Sequence, residues 1–309
     1  MLNSFRNFWR IRAPTDALRP MWIDAPGSNE RLQSFRSVRL KVALSELIRD
    51  GFTVLKRNSP AELCDRVVND FGRYCAQHPE HQDFCDGNRL HDRLANLHLW
   101  SDSAKELALE ESVLEIVEAA FESPASLVGS LYFERGSEQD IHRDTPSFYT
   151  IPLNHYFGVW HALEDVSPDA GALTYYAGGH RLAPDSEFIG SGIENMDAYF
   201  RSVVAACEAG GVKRKTFFAE KGDTLIWHPQ LPHGGSPIAN PSRSRRSIVF
   251  HYKPNDAPIY GPREFFGPQH SLPSRRGQAY LPLGKERRCL DHGKPQFFRN
   301  KKEGNFQEF

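Results

Sequence analysis

Residues 126–133 read SLVGSLYF, and the same character returns in HYFGVWHAL (155–163), GALTYY (171–176), RKTFFA (214–219), DTLIWH (223–228) and RRSIVFHY (245–252). Each is a short β-branched or aromatic run bounded by Gly, Pro or Asp. The stretch therefore predicts an all-β core of the sandwich, jelly-roll or small-barrel type. One helix interrupts it at about 194–208 (ENMDAYFRSVVAACE) and closes on Gly210-Gly211.

Upstream of this core the period changes. VRLKVALSELIRD (38–50) carries apolar residues at helical spacing and stops at Gly51, after which FTVLK reads as a strand. Ser59-Pro60-Ala61-Glu62 has the form of a capping box with proline at the first helical position, and it predicts a helix over 60–77. A polar loop follows, then a strand over 93–100 and helices at about 102–109 and 111–121. The expected architecture is mainly β with flanking helices, the N-terminal helices buttressing the core. Three regions are expected: an N-terminal arm at 1–37, a domain at 38–253, and a C-terminal segment at 254–309. That last segment is rich in Pro, Gly and aromatics, and its eight Phe or Tyr side chains argue that it packs on the core.

Composition narrows the function class. Lys+Arg 38 against Asp+Glu 39 leaves a net charge of -1, so no global field points to nucleic acid or an anionic membrane. Five cysteines without a CxxC pair argue against a disulfide framework or a zinc knuckle and for a reducing, cytoplasmic setting. No apolar run reaches membrane-spanning length, so stable membrane insertion is not expected. The opening MLNSFRNFWRIRAP mixes Phe5, Phe8, Trp9 and Ile11 with Arg6, Arg10 and Arg12; it lacks the continuous apolar stretch of a secretory signal and reads as an arm ended by Pro14.

Three His-x-acid triplets occur: His78-Pro-Glu80, His81-Gln-Asp83 and His142-Arg-Asp144. With 13 His and 39 acids in the chain, a lone triplet carries no meaning. The first two sit in a polar loop and read as solvated side chains. His142 and Asp144 instead follow a strand-like run, where alternation places residues i and i+2 on one face and lets both ligate one ion. One further imidazole completes the 2-His-1-carboxylate arrangement that holds Fe(II) and leaves open positions. His233, in the turn of GDTLIWHPQLPHGGSP, is the candidate; His228, five residues earlier, competes and reads as a hydrogen-bonded core histidine. Beyond it, RRSIVFHY places Arg245 and Ser247 on one strand face, where a fixed guanidinium beside a hydroxyl suits a dicarboxylate.

Four segments in order, IHRDTPSFYT (141–150), GVWHALEDVSPDAGALTYYAGGHR (158–181), KGDTLIWHPQLPHGGSP (221–237) and the Arg-bearing strand, resemble the phytanoyl-CoA dioxygenase-like group of Fe(II)/2-oxoglutarate dioxygenases. The resemblance covers about 38–253. It implies a double-stranded β-helix (a cupin-like jelly roll), with His142, Asp144 and His233 as metal ligands and Arg245 gripping 2-oxoglutarate. It places Trp160 in the cosubstrate pocket, with Gln139 a further candidate there and Ser247 beside the arginine. His233 and Arg245 are twelve residues apart, about one more than the family usually shows, which makes Arg243 and Arg246 rivals. Arg246 shares a strand face with Ile248 and Phe250, and Arg243 lies in the loop, so Arg245 is preferred.

The resemblance further implies that Fe(II), 2-oxoglutarate and O2 serve hydroxylation of an unactivated C–H bond, with release of succinate and CO2. A carboxylate at Asp144 favours hydroxylation over halogenation. The expected partner is a small organic molecule, a polar metabolite, sugar or natural-product intermediate, with an acyl-CoA as the alternative; a homo-oligomer is also possible through the C-terminal segment. A non-catalytic metal- or sugar-binding β-barrel and a zinc hydrolase on the same triad are the competing readings.

Overall fold

Strands that are apolar on both faces need a covering layer on each side. The computed structural model describes residues 20–88, 90–183, 185–269, 280–282, 285–290 and 294–298, and it supplies both layers. The main sheet runs β1 (Phe52–Leu55), β8 (Thr224–Trp227), β5 (Phe157–Ala162), β10 (Ser247–Pro254), β3 (Ala125–Phe133), β13 (Arg288–Leu290) and β12 (Tyr280–Pro282). Two short strands extend it: β2 (Arg93–Ala95) pairs with β3, and β14 (Gln296–Phe298) pairs with β2. All of these pairings are antiparallel except β13 with β3. A second sheet contains β7 (Arg214–Phe217), β6 (Leu173–Tyr176) and β9 (His233–Gly235), and a small ribbon pairs β4 (Tyr149–Thr150) with β11 (Ile259–Tyr260).

Alternation divides the main sheet between two cores. Val159, Ile226, Ile248 and Phe250 face the helices, which are α1 (Ser28–Leu32), α2 (Val38–Asp50), α3 (Ala61–Gln77), α4 (Asp102–Ala108) and α5 (Glu111–Phe121). Leu44, Leu47, Val67, Phe71, Leu114 and Val117 supply the opposing apolar stripe. Trp160, Leu225, Trp227 and Val249 point the other way, into a core shared with Leu173 and Tyr175 of the second sheet. Helix α6 (Met196–Ala209) and the short α7 (Pro262–Phe266) pack with β4 and β11 through Tyr199, Phe265 and Phe266. Two facing sheets of this order make the jelly roll that the resemblance implied, with the helices as buttress.

Local expectations fare unevenly. The helix expected from the Ser59 capping box forms over α3, but Ser59 does not cap it: Pro60 occupies the cap, and the Ser59 hydroxyl turns to Glu110 Oε2 at 3.0 Å. The strand expected over 93–100 stops at Ala95, because Asn96 adopts a left-handed backbone (φ 60°) and a 3-10 turn, Leu97–Leu99, follows. The expected strand leading into His142 ends at Phe133. No disulfide joins any of the five cysteines, and no described helix is long and apolar enough to cross a membrane. Residues 1–19 of the expected arm lie outside the described residues, as does much of 270–309.

Beyond α7, what is described of the C-terminal segment, β12 to β14, extends the main sheet at its edge. Phe297 is 4% exposed and its ring meets His81 (5.1 Å between centroids), Phe84 (5.4 Å) and His91 (5.7 Å). Removing a buried phenylalanine ring costs about 3–5 kcal/mol. Phe297→Ala should therefore lower the denaturant midpoint sharply, whereas exposed Gln296→Ala should stay within about 0.5 kcal/mol of the parent. Equal midpoints for the two variants would show that β14 contributes no packing.

Candidate metal centre

Two backbone hydrogen bonds bring the ligand-bearing segments together. The His142 N–H donates to the His233 carbonyl at 2.9 Å, and the His233 N–H returns to the His142 carbonyl at 3.0 Å. This isolated bridge gives residues 142 and 144 the local alternation expected of a strand, although β3 ended well before them. His233 itself opens β9, with Tyr175 of β6 as its partner. Asp144 is fastened to the same turn by its N–H, which donates to Pro229 O at 3.0 Å.

His142, Asp144 and His233 are all buried, and one ligand atom from each lies within 4.8 Å of the others. Asp144 Oδ1 is 3.8 Å from each of the two Nε2 atoms. His142 Nδ1 donates to Asp140 O at 2.8 Å and His233 Nδ1 to Leu231 O at 2.9 Å, so both rings are held in the tautomer that leaves the Nε2 lone pair for a cation. The second carboxylate oxygen is occupied elsewhere: Trp227 Nε1–H donates to Asp144 Oδ2 at 2.7 Å, with the Tyr156 hydroxyl 3.5 Å away. Burial pushes the Asp144 carboxyl up, and burial reinforced by the neighbouring His233 pulls His142 well below the usual range. A cation at this point would reverse that penalty. Two neutral imidazoles and one carboxylate, aimed at one point and fixed from behind, fit a first-row divalent ion in a facial 2-His-1-carboxylate arrangement.

A cavity opens beside the triad, with an empty volume of about 860 Å³ that includes the open solvent at its mouth. Leu131, Phe133, Trp160 and Val249 form apolar wall, and Gln139 and Gly235 also line it. Arg245 projects into it, 3% exposed, with no ion-pair partner among the described residues and its Nε without a hydrogen bond. Burial pulls its guanidinium down to about 10. The rings of Phe133 (5.3 Å) and Trp160 (5.8 Å) face the charge, and Glu164 attracts it without forming an ion pair. A buried cation left this way is costly unless an anion joins it, so a dicarboxylate fits the site. The rivals are engaged elsewhere: Arg246 bonds Glu164 at 3.2 Å, and Arg243 is exposed beside Asp169. The strand expected to begin at Arg245 begins at Ser247, so the two do not share a strand face; the Ser247 hydroxyl is buried without a hydrogen bond and does not line the cavity. Nor does His228, whose ring turns away to Asp24 at 3.0 Å.

Sequence reasoning missed several residues here. Arg93 on β2 lines the cavity with its Nε unpaired; only its place in a strand-like stretch hinted at an inward side chain. His251 also lines it, pulled down to about 3 by burial and hydrogen-bonded to Tyr156, and its even spacing from Val249 and Arg245, two and six residues away, was a usable signal. Arg143, between two of the ligands, is fully buried on the far side and bonds Gly179 O, Ala183 O and Asp185.

The profile of the phytanoyl-CoA dioxygenase family (PhyH) matches residues 47–247. "Phytanoyl-CoA dioxygenase domain-containing protein 1" of Danio rerio is 26% identical over 152 residues, 45% of this chain and 47% of its own length. A homologue of that protein from Dictyostelium discoideum is 23% identical over 216 residues, 68% of this chain and 65% of its own. The chain thus spans about half to two thirds of the length of these relatives. Among solved structures, the epimerase SnoN in complex with Fe3+, alpha ketoglutarate and nogalamycin RO superposes with a TM-score of 0.57 at 20% identity, covering 81% of this chain and 98% of that one. EctD from S. alaskensis with 2-oxoglutarate and 5-hydroxyectoine gives 0.57 at 17% identity, covering 79% and 86%. At these identities the likeness is one of fold.

The Trp227 indole that holds Asp144 lies against Gly158 of β5, where an added Cβ would collide with the ring. Gly158→Ala should cost about 1–3 kcal/mol by overpacking. It should also weaken Co(II) binding by displacing the indole, measured by titration of the metal-free protein. Binding at parental affinity would show that Trp227 does not set the carboxylate.

Proposed function

The chain belongs to the phytanoyl-CoA dioxygenase family, and from that premise we propose that it is an Fe(II)- and 2-oxoglutarate-dependent oxygenase that hydroxylates an unactivated C–H bond of a small organic substrate. The observation that carries the proposal is the pairing, in one cavity, of the convergent His142–Asp144–His233 donor set with the buried Arg245 guanidinium, which forms no ion pair among the described residues. A metal-binding barrel without catalysis would need the first and gain nothing from the second. Iron with 2-oxoglutarate and O2 supplies the oxidising power, the substrate C–H becoming C–OH while 2-oxoglutarate leaves as succinate and CO2.

The protein's own contribution is position and exclusion of water. The Nδ1–H bonds of His142 and His233 keep the ligand rings from turning, and Trp227 and Tyr156 hold Asp144 so that Oδ1 stays near the two Nε2 atoms, where the three would hold the metal. Arg245 takes the distal carboxylate of 2-oxoglutarate, with the Trp160 and Phe133 rings shielding the pair from water. Arg93 adds a second positive charge to the cavity, and Gln139 stands at its wall. The remaining wall offers aromatic surface with a few polar anchors, Ser147 and His251 among them, which suits a compact, oxygen-bearing molecule. Two fold relatives are solved with organic molecules, nogalamycin RO in SnoN and 5-hydroxyectoine in EctD.

Anaerobic addition of Fe(II) and 2-oxoglutarate should produce a visible charge-transfer band, and a substrate screen scored by succinate above the uncoupled background should find the acceptor. No band at saturating concentrations would contradict the oxygenase reading. Loss of a buried charge-assisted contact costs about 2–4 kcal/mol, equivalent to about thirty- to a thousand-fold. Arg245→Ala should raise the apparent KM for 2-oxoglutarate by that factor while metal binding persists, and Arg246→Ala should leave it near the parental value. The reverse pattern would move the cosubstrate contact to Arg246.

A further inference from the structure

The turn that carries His233 is held from behind by a residue upstream of the family-matched region. Residues 228–232 present three carbonyls to their surroundings: Pro229 O to the Asp144 N–H, Leu231 O to His233 Nδ1–H, and Pro232 O to the Tyr176 N–H at 3.0 Å. The turn has its own fastenings. Gln230 Nε2 donates to Asp185 Oδ2 at 2.5 Å, and the Leu231 N–H closes on His228 O at 2.9 Å. The His228 ring joins in, because its Nδ1 accepts the Gln230 N–H at 3.2 Å. An imidazole that accepts on Nδ1 carries its proton on Nε2. That proton goes to Asp24 Oδ2 at 3.0 Å.

Asp24 is placed to receive it. It ends the short turn Trp22–Asp24, whose Trp22 and Ile23, with the preceding Met21, are buried in the helix-side core, and Trp22 Nε1–H donates to Ala119 O at 2.9 Å. His228 is 1% exposed, with Phe157 and His180 as its ring neighbours, so little water reaches it.

We propose that Asp24 is a positioning residue for the metal centre: by accepting from Nε2 it fixes the His228 tautomer, and the fixed ring keeps the 228–232 turn in the shape that places its carbonyls on Asp144 and His233. Without that acceptor the ring proton is free to move to Nδ1. Two N–H groups then oppose each other at Gln230, and the turn that orients both ligands loses a fastening. The inference rests on the reading of His142, Asp144 and His233 as metal ligands.

The test is Co(II) titration of the metal-free full-length protein, followed by its visible absorption and paired with melting temperatures. Outer-shell losses of this kind cost about 10- to 100-fold in metal affinity. Asp24→Ala and His228→Ala should fall in that range, with an altered Co(II) spectrum. His228→Gln, whose amide can donate to Asp24 and accept from Gln230, should restore near-parental affinity and spectrum. Trp22→Phe, which loosens the same segment without touching the hydrogen bond, should lower the melting temperature and leave Co(II) binding unchanged. A folded Asp24→Ala protein with parental affinity would overturn the proposal, as would Trp22→Phe losing affinity in proportion to its stability. Should Asp24→Ala fail to fold, the His228→Ala and His228→Gln pair decides, equal losses in both refuting the proposal. Failure of the underlying reading looks different: the parent itself would not bind Co(II), or His233→Ala would bind it equally well.

Discussion

The two backbone hydrogen bonds exchanged between His142 and His233 are the constraint on which the rest of the centre depends. They join a loop with no regular structure of its own to the first residue of β9, and β9 is registered on β6 by Tyr175. The register decides which side chains converge. A shift of one residue would send Arg143 toward the cavity and both His142 and Asp144 away from it. The chain guards against that shift from the opposite side, where Arg143 is completely buried and tied to Asp185, which also receives Gln230 and the Tyr199 hydroxyl. One buried carboxylate thus links the loop of the first two ligands, the turn of the third, and helix α6.

Electrostatics gives the arrangement its direction. Burial alone disfavours both an ionised Asp144 and a protonated His142, and it leaves Arg245 positive without an ion pair among the described residues. A cation on the triad and an anion on the arginine resolve these costs together. Each is a poor place for the other's ligand. The same jelly roll could serve many reactions, and this distribution of charge, rather than the fold, carries the functional argument.

Much of this was legible in the sequence because the main sheet is sandwiched: runs such as SIVFHY are apolar on both faces, and strands of that kind need two layers. The ligand triad was legible through the spacing of His142 and Asp144 and through the Gly-marked turn after His233. The reason given for that spacing was incomplete, since β3 ends at Phe133 and the alternation comes from a bridge to His233 that only the tertiary fold supplies. Ser59 followed the capping pattern, yet its hydroxyl found a better partner in Glu110 once helix α5 had packed nearby. Arg93 and Asp24 act across 49 and 204 residues of chain, counting from Arg93 to His142 and from Asp24 to His228. No local pattern marks such partners.

The central claim is that one cavity holds a metal ion on His142, Asp144 and His233 and a dicarboxylate on Arg245. Anomalous diffraction from crystals grown anaerobically with Fe(II) and 2-oxoglutarate tests it directly. The account predicts a single strong iron peak bounded by His142 Nε2, His233 Nε2 and Asp144 Oδ1, with the distal carboxylate of 2-oxoglutarate in a two-point contact with the Arg245 guanidinium. Iron at another cluster, or a dicarboxylate bound away from Arg245 with the arginine left unpaired, would contradict it.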